Sequence, residues 1–342
     1  MQVDMHYYGT YAIARFAGFN VEKAEKIAYF SHAVDSFCCQ NKIANNDEKN
    51  ILIPFVFLPG GEGSHYHEKI LCQKDSKISQ EMFANHIKHA KNSRYGLQLV
   101  GIACKVFLDT FSNYGFSGIN SSQNKVDRGS IKLINVKNPK LNTFITDSYH
   151  CFTKKQSPSL LVKFIKKIAL TFNKDSLKVI GQYDVATLAE YPFLHWAFYY
   201  EDNEILSERN NPEDFLEGCE KLYEWLILFG KAIDENHTPV KKFSEVKEII
   251  NTTLRTENKL RDRVSCWRNL IEQKFIGDSK SIDTLEYDLN KWQKQNSKKT
   301  SLKTLSNLDC NEFNQAVIYH YNFVLKELLP KYAIDIDCIS SD

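Results

Sequence analysis

Near the start of the chain, two His and two Asp stand at the ends of what reads as one helical hairpin: Asp4 and His6, then His32 and Asp35. His offers a borderline-soft nitrogen and Asp a hard oxygen, and both suit zinc or another divalent ion. His32 and Asp35 are three residues apart, so on a helix they project from one face. Asp4-x-His6 adds two donors from the preceding segment. The same residues also read as buried polar groups that cap helix ends and hold the hairpin in register. Which reading applies decides whether the protein is an enzyme.

A second polar group lies on the most apolar helical segment of the chain. Asp109 falls within residues 96–112, where a bare carboxylate is expensive to bury. Lys105 lies four residues before it and Asn113 four after, so all three form one stripe down a buried helix. Such a stripe is either part of a site or an internal ion-pair and hydrogen-bond network. A third group, Asp184 and His195, stands among the aromatics of residues 181–200, which suits a small-molecule pocket or an ordinary core edge. His65 and His67, beside the Gly60–Gly63 loop, read as solvated. So do His86 and His89, which share a helix with Lys88 and Lys91.

The elements that must position these residues are mostly helical. Apolar spacing predicts helices over 6–17, 21–40, 79–92 and 96–112, with Gly18 stopping the first and Asn20 capping the second. Further helices are expected over 159–172, from Pro212 to about 230, and over 241–254, 257–275, 281–293 and 310–329. Residues 51–58 form a short apolar run in which Pro54 argues for an edge strand or extended segment. Residues 119–157 read as irregular, with a short strand near 131–136. Residues 294–303 read as a polar linker. The fold class is therefore mainly α, a multi-helix bundle with a few short strands. A core over 1–200 carries the candidate site, and 201–342 either packs on it or forms a subdomain.

The chain has 342 residues, enough for one large domain or two ordinary ones. Lys plus Arg is 44 and Asp plus Glu is 42, so no global field draws nucleic acid or an anionic membrane. The nine Cys include no C-x-x-C pair, which fits a reducing cytoplasm with mostly buried thiols. Neither a signal peptide nor an apolar run of membrane-spanning length is apparent. Nothing matches a Walker loop, a dinucleotide fingerprint, a G-x-S-x-G elbow or H-E-x-x-H.

Taken together, several segments resemble a bacterial helical family of unknown function. They are Asp4-x-His6-Tyr7-Tyr8-x-Thr10-Tyr11, Ile27-Ala28-Tyr29 with Val34-Asp35, Ile53-Pro54-Phe55-x-Phe57-Leu58-Pro59-Gly60, Asp109-Thr110-Phe111-Ser112 with Gly115-Phe116-Ser117-Gly118, and Tyr191-Pro192. The resemblance covers residues 4–200. That family is in turn distantly similar to the helical zinc phospholipase C and single-strand nuclease superfamily, in which His and Asp from several helices hold zinc against a phosphodiester. The resemblance implies a metal-dependent hydrolase of phosphodiester or phospholipid type. Zinc or another divalent ion would be held by Asp4, His6, His32, Asp35, Asp109 and His195, with Asp109 and Asp184 in catalytic roles.

This sequence departs from the pattern at Lys105, Asn113, Val56 and Gln182, where His or Gly-His would be expected. Lys105 cannot ligate zinc while protonated, but it can neutralise Asp109 as an internal ion pair. The second expectation is therefore a non-catalytic binding or interaction protein on the same scaffold. Its C-terminal helices, with Trp225, Trp267 and Trp292, would offer a surface to a protein partner.

Overall fold

The structure, a computed structural model, describes residues 1–44, 49–119, 121–153, 185, 187–201, 206–275, 285–288 and 308–336. A wide helical turn over Asp4–Gly9 runs straight into α1 (Thr10–Phe16). Gly18, at φ 104°, ends the segment; a Cβ there would lie 2.2 Å from the Thr238 carbonyl. Asn20 then caps α2 (Val21–Ala44) by accepting from the Lys23 amide at 2.9 Å. There follow α3 (Lys49–Phe55), the short α4 (Tyr66–Lys69), α5 (Lys77–Ala90) and α6 (Gly96–Asn113).

The strands β1 (Lys132–Leu133), β2 (His195–Tyr199) and β3 (Leu206–Asn210) form one antiparallel sheet in the order β1-β2-β3, with α7 (Pro139–Thr153) between the first two in sequence. His195 pairs with Asn210, and Ala197 with both Lys132 and Glu208. The C-terminal part contributes α8 (Asn211–Ile233), α9 (Phe243–Leu254), α10 (Leu260–Lys274), α11 (Leu308–Asn322), a second wide turn over Phe323–Leu328, and α12 (Leu329–Lys331). The protein is mainly α, as expected.

Helix α6 is the centre. Every residue from Gln98 to Asn113 is buried, because the segment is apolar on most of its faces and so can be surrounded. Its nearest neighbour is α2, and Gly101 sets how close the two come. A Cβ at Gly101 would sit 2.6 Å from the Ile27 carbonyl oxygen. That close approach brings Asp35 on α2 within reach of Lys105 on α6. Residues of 201–342 enter the same hydrophobic cluster: Trp267 and Leu270 of α10 and Phe313 of α11 are buried in it. Trp267 is thus core, and Trp225 stacks on Phe83 at 5.1 Å, so both turn inward. Trp292 lies outside the described residues.

Two expectations fail. Residues 51–58 are not extended: Lys49–Phe55 is helical and holds Pro54 in its last turn. The carbonyls at and just past the end of this helix are taken by side chains. Pro54 O accepts from His320, Phe55 O from Lys105 and Val56 O from Asn113, at 2.8, 2.8 and 2.9 Å. Nor is the polar stretch 119–157 irregular throughout, since α7 occupies Pro139–Thr153 with Asn138 bonding the Lys140 amide at its start. The helix expected over 159–172 and the linker 294–303 lie outside the described residues, as does most of 281–293, whose described residues 285–288 are not helical. Among the described residues no helix is long and apolar enough to cross a membrane.

Candidate metal centre

The turn Asp4–Gly9, α2 and α6 converge on one polar cluster. His6 is fully buried and spans two carboxylates. Its Nδ1 lies 3.0 Å from Asp35 Oδ2, and its Nε2 lies 2.9 Å from Asp109 Oδ1. Carboxylates only accept, so both ring nitrogens donate and the ring is an imidazolium. Burial alone disfavours that charge, but Asp109 and Asp35 outweigh it and raise the His6 pKa.

Lys105 completes the network. Its Nζ lies 2.7 Å from Asp109 Oδ2, 3.2 Å from Asp35 Oδ1 and 2.8 Å from the Phe55 carbonyl. An ammonium has three protons, and here three oxygens face them. Burial opposes the charged forms. Yet Lys105, aided by His6, holds Asp35 well below the usual carboxylate range, and Asp109 is lowered for the same reason. The carboxylates in turn raise Lys105. The two carboxylates, Lys105 and the imidazolium sum to zero charge. The terminal amino group of Met1 also lies 3.1 Å from Asp109 Oδ1.

His32 breaks the pattern of full satisfaction. It is 3% exposed, and among the described residues neither ring nitrogen has a hydrogen-bond partner. Nδ1 comes within 3.3 Å of Asp35 Oδ2, but at an angle that makes no hydrogen bond. Tyr287 stands edge-on to the ring at 4.5 Å. A buried imidazole left this way forfeits its hydrogen bonds to water without replacement.

His6, His32 and Asp35 each offer one ligand atom, and the three atoms lie within 4.8 Å of one another. Two ligands of a tetrahedral zinc at about 2.1 Å are about 3.4 Å apart, close to the His–Asp35 distances. The donor set and the orphaned ring therefore fit a divalent ion. Three protein ligands, with water or substrate as the fourth, is the donor count of catalytic zinc sites. Asp35, with its side chain 19% exposed, is the edge of the cluster that meets solvent.

The other expected ligands are placed differently. Asp4 is buried and paired with Arg263 of α10, Oδ2 to Nε at 2.7 Å, and does not join the three converging ligands. Arg263 also bonds Gln2 and Asn258, so it ties the first turn of the chain to α10. His195 lies on the sheet, with Nε2 2.6 Å from Glu208 Oε1, and contributes nothing to the cluster. Asp184 and Gln182 lie outside the described residues. Asp109 is in the cluster, where Oδ1 faces His6 and the Met1 amino group and Oδ2 faces Lys105, so it positions those groups.

His65 and His67 are exposed as expected and stack at 5.4 Å. His86 is not on a wet face: it is fully buried and bonds His320 of α11. Three participants went unmarked in the sequence. Arg263 and His320 carry no local signal. Glu190 is held near the cluster through Gln2, whose amide lies 3.5 Å from Oε2; burial raises its pKa, and so do Asp35 and Asp109.

Residues 1–328 match the DUF6765 family, a family of unknown function, and the chain belongs to it. The match extends well past residue 200, where the resemblance in the sequence ended. No curated protein and no solved structure matches the chain.

Proposed function

For a member of a family with no assigned activity the chemistry must come from the site, and we propose a metal-dependent hydrolase that acts on phosphodiesters, phospholipid or otherwise. His6, His32 and Asp35 would hold a single divalent ion, zinc by donor type. The observation that carries this reading is His32, a buried imidazole with neither nitrogen satisfied beside two residues of the right kind. The motif resemblance read from the sequence, if it extends to zinc phospholipases and nucleases, would point the same way.

Zinc at such a position polarises a phosphoryl oxygen as a Lewis acid and makes water a better nucleophile. The chain's own residues do the rest. Asp109 fixes Lys105 and the far side of His6, so the ligand ring cannot rotate. Lys105 anchors Asp35 through Oδ1 and leaves Oδ2 turned toward the two His. Its fixed positive charge also favours an anionic substrate approaching past Asp35. Since Lys105 already supplies one positive charge against two carboxylates, this reading expects a single ion.

A specific observation favours a second reading, a non-catalytic binding protein: Lys105 and His6 already balance Asp35 and Asp109 without an ion, and the Met1 amino group adds a further positive charge beside Asp109. Calorimetric titration of chelator-treated protein with zinc separates the two. The first reading expects about one equivalent bound, loss of binding in His32→Ala, and zinc-dependent hydrolysis of bis(p-nitrophenyl) phosphate. No zinc uptake at 100-fold molar excess would leave the second reading standing.

A further inference from the structure

A second buried histidine pair lies on the other side of α3. His86 of α5 and His320 of α11 are both fully buried, with His86 Nε2 2.8 Å from His320 Nδ1. His320 Nε2 lies 2.8 Å from the Pro54 carbonyl oxygen. With both rings neutral, these contacts fix the two shared protons. A carbonyl only accepts, so His320 Nε2 carries a hydrogen. In a neutral ring Nδ1 then accepts, so His86 Nε2 also carries one. The result is a one-way relay, His86 to His320 to Pro54, with both rings neutral.

We propose that this relay is a proton-sensitive latch holding the C-terminal helix α11 onto α3 and α5. Protonation of His320 puts a hydrogen on Nδ1, facing the N–H of His86, and the bond between the helices becomes a donor–donor contact. Protonation of His86 places a charge where no carboxylate balances it. The groups around the pair are unsuited to hold that charge. His89 of α5 stacks on Tyr319 and bonds Tyr95. Lys105 of α6 acts on His320 with the same sign as an added proton. From α3, the Pro54 carbonyl faces His320 and Phe55 packs against its ring at 4.8 Å. Glu312, one acid on α11, is taken by Gln98 of α6 at 2.8 Å. Phe323 of the following wide turn faces His86 at 5.7 Å, and Glu327 of that turn acts on Tyr319. Among the described residues no acid pairs with either ring.

Burial and His320 hold His86 well below its ordinary pKa, and burial brings His320 down to about 4. Opening the latch returns both rings to ordinary values near 6.5. Acid therefore favours the open form, in which α11 leaves the Pro54 carbonyl. The adjacent Phe55 carbonyl is an acceptor of Lys105, so loosening at 54–55 reaches the metal centre. The latch itself does not depend on an ion there.

Hydrogen exchange of the full chain, read by mass spectrometry from pH 7 to 4.5 and corrected for intrinsic rate, tests this. The opening constant of peptides from 49–56 and 308–322 is expected to rise below pH 6.5. The rise is about tenfold per pH unit for each proton taken up. His86→Gln keeps an amide donor for His320 but cannot be protonated, so its slope is expected to fall by one proton. No rise in these peptides, the same rise across the whole chain, or an equal slope in His86→Gln would overturn the proposal. Should that variant fail to fold, nitrogen-15 spectra of the natural protein decide. Both rings are expected as neutral Nε2–H tautomers at pH 7, and a charged ring or the other tautomer would overturn the latch.

Discussion

His6 and His320 are both wholly out of solvent, and they end in opposite charge states. His6 faces two carboxylates and is held protonated; His320 faces a carbonyl and another imidazole and is held neutral. Burial acts on both in the same direction and so cannot account for the difference. The partners account for it: acceptors on both sides demand two protons, while one acceptor and one donor demand a single proton. The two rings are nonetheless joined through α3, whose last carbonyls are shared out between the neutral relay and the charged cluster. The region with matched charge resists changes in pH. The region with matched hydrogen bonds but no counter-charge responds to them.

The largest way to break this comparison is to remove the shared carboxylate. Asp109→Ala takes away the 2.7 Å partner of Lys105 and one of the two acceptors of His6. A buried ion network that loses one member leaves uncompensated charge, which costs about 3–5 kcal/mol. Urea unfolding of metal-free protein checks the size. Proton NMR checks the logic: with one carboxylate gone, the His6 pKa should drop toward the behaviour of His320. An unchanged His6 would mean that Asp35 alone sets its charge.

Next in size is the pH dependence. His320 has a folded pKa of about 4 against about 6.5 unfolded, so between those values the unfolded chain binds the extra proton. Its contribution is complete above pH 6.5 and is lost as pH falls toward 4. The loss is on the order of 3 kcal/mol, and His86 adds to it in the same direction. His6 has the opposite sign. Its raised pKa gives stability that is complete below 6.5 and lost as pH rises through the folded value. Asp35 and Asp109, lowered, act above the ordinary carboxylate range and fail only as pH falls through their depressed values. Melting temperature of metal-free protein against pH should therefore fall away below 6.5. His86→Gln should flatten that limb and leave the alkaline one alone.

Much of this was legible where a local pattern carried it. The apolar run of 96–112, the first-turn proline Pro212 and the cap Asn20 each announced a helix that is there. The i, i+4 spacing of Lys105 and Asp109 announced their ion pair. What was missed depends on partners far away in sequence. Residues 49–55 are helical because Lys105, Asn113 and His320 take up the carbonyls at and just past the helix end, which the β-like run Ile51–Phe57 could not reveal. His86 was read as solvated from its lysine neighbours, yet its partner lies 234 positions on. Arg263 removes Asp4 from the ligand set across 259 positions. Asn138-Pro139 was a cap and first-turn signal for α7 that the surrounding polarity obscured.

A third change tests whether Lys105 limits the ion. Lys105→Met removes a positive charge 3.2 Å from Asp35 while keeping the apolar stem. Repulsion between that charge and a bound dication, even in a screened setting, is worth upward of about 1.4 kcal/mol. Zinc affinity measured by calorimetry should rise at least about tenfold, at the expense of stability in the metal-free form. Unchanged affinity would place the ion away from Asp35.

The smallest expected effect on stability is the most discriminating. His32 makes no hydrogen bond among the described residues, so His32→Ala in metal-free protein loses ring contacts with Tyr287 and His6 and the approach to Asp35, and should cost about 1 kcal/mol. The same change should abolish zinc binding, because it removes one of three ligands. A histidine kept for structure would show the reverse: several kcal/mol of stability lost and zinc uptake, if any, unaltered. His6 cannot serve for this test, since in metal-free protein its ring bridges Asp35 and Asp109, so its loss removes stability and a ligand together. His32 stands 3.3 Å from Asp35 with neither nitrogen hydrogen-bonded among the described residues, which is where an ion would lie.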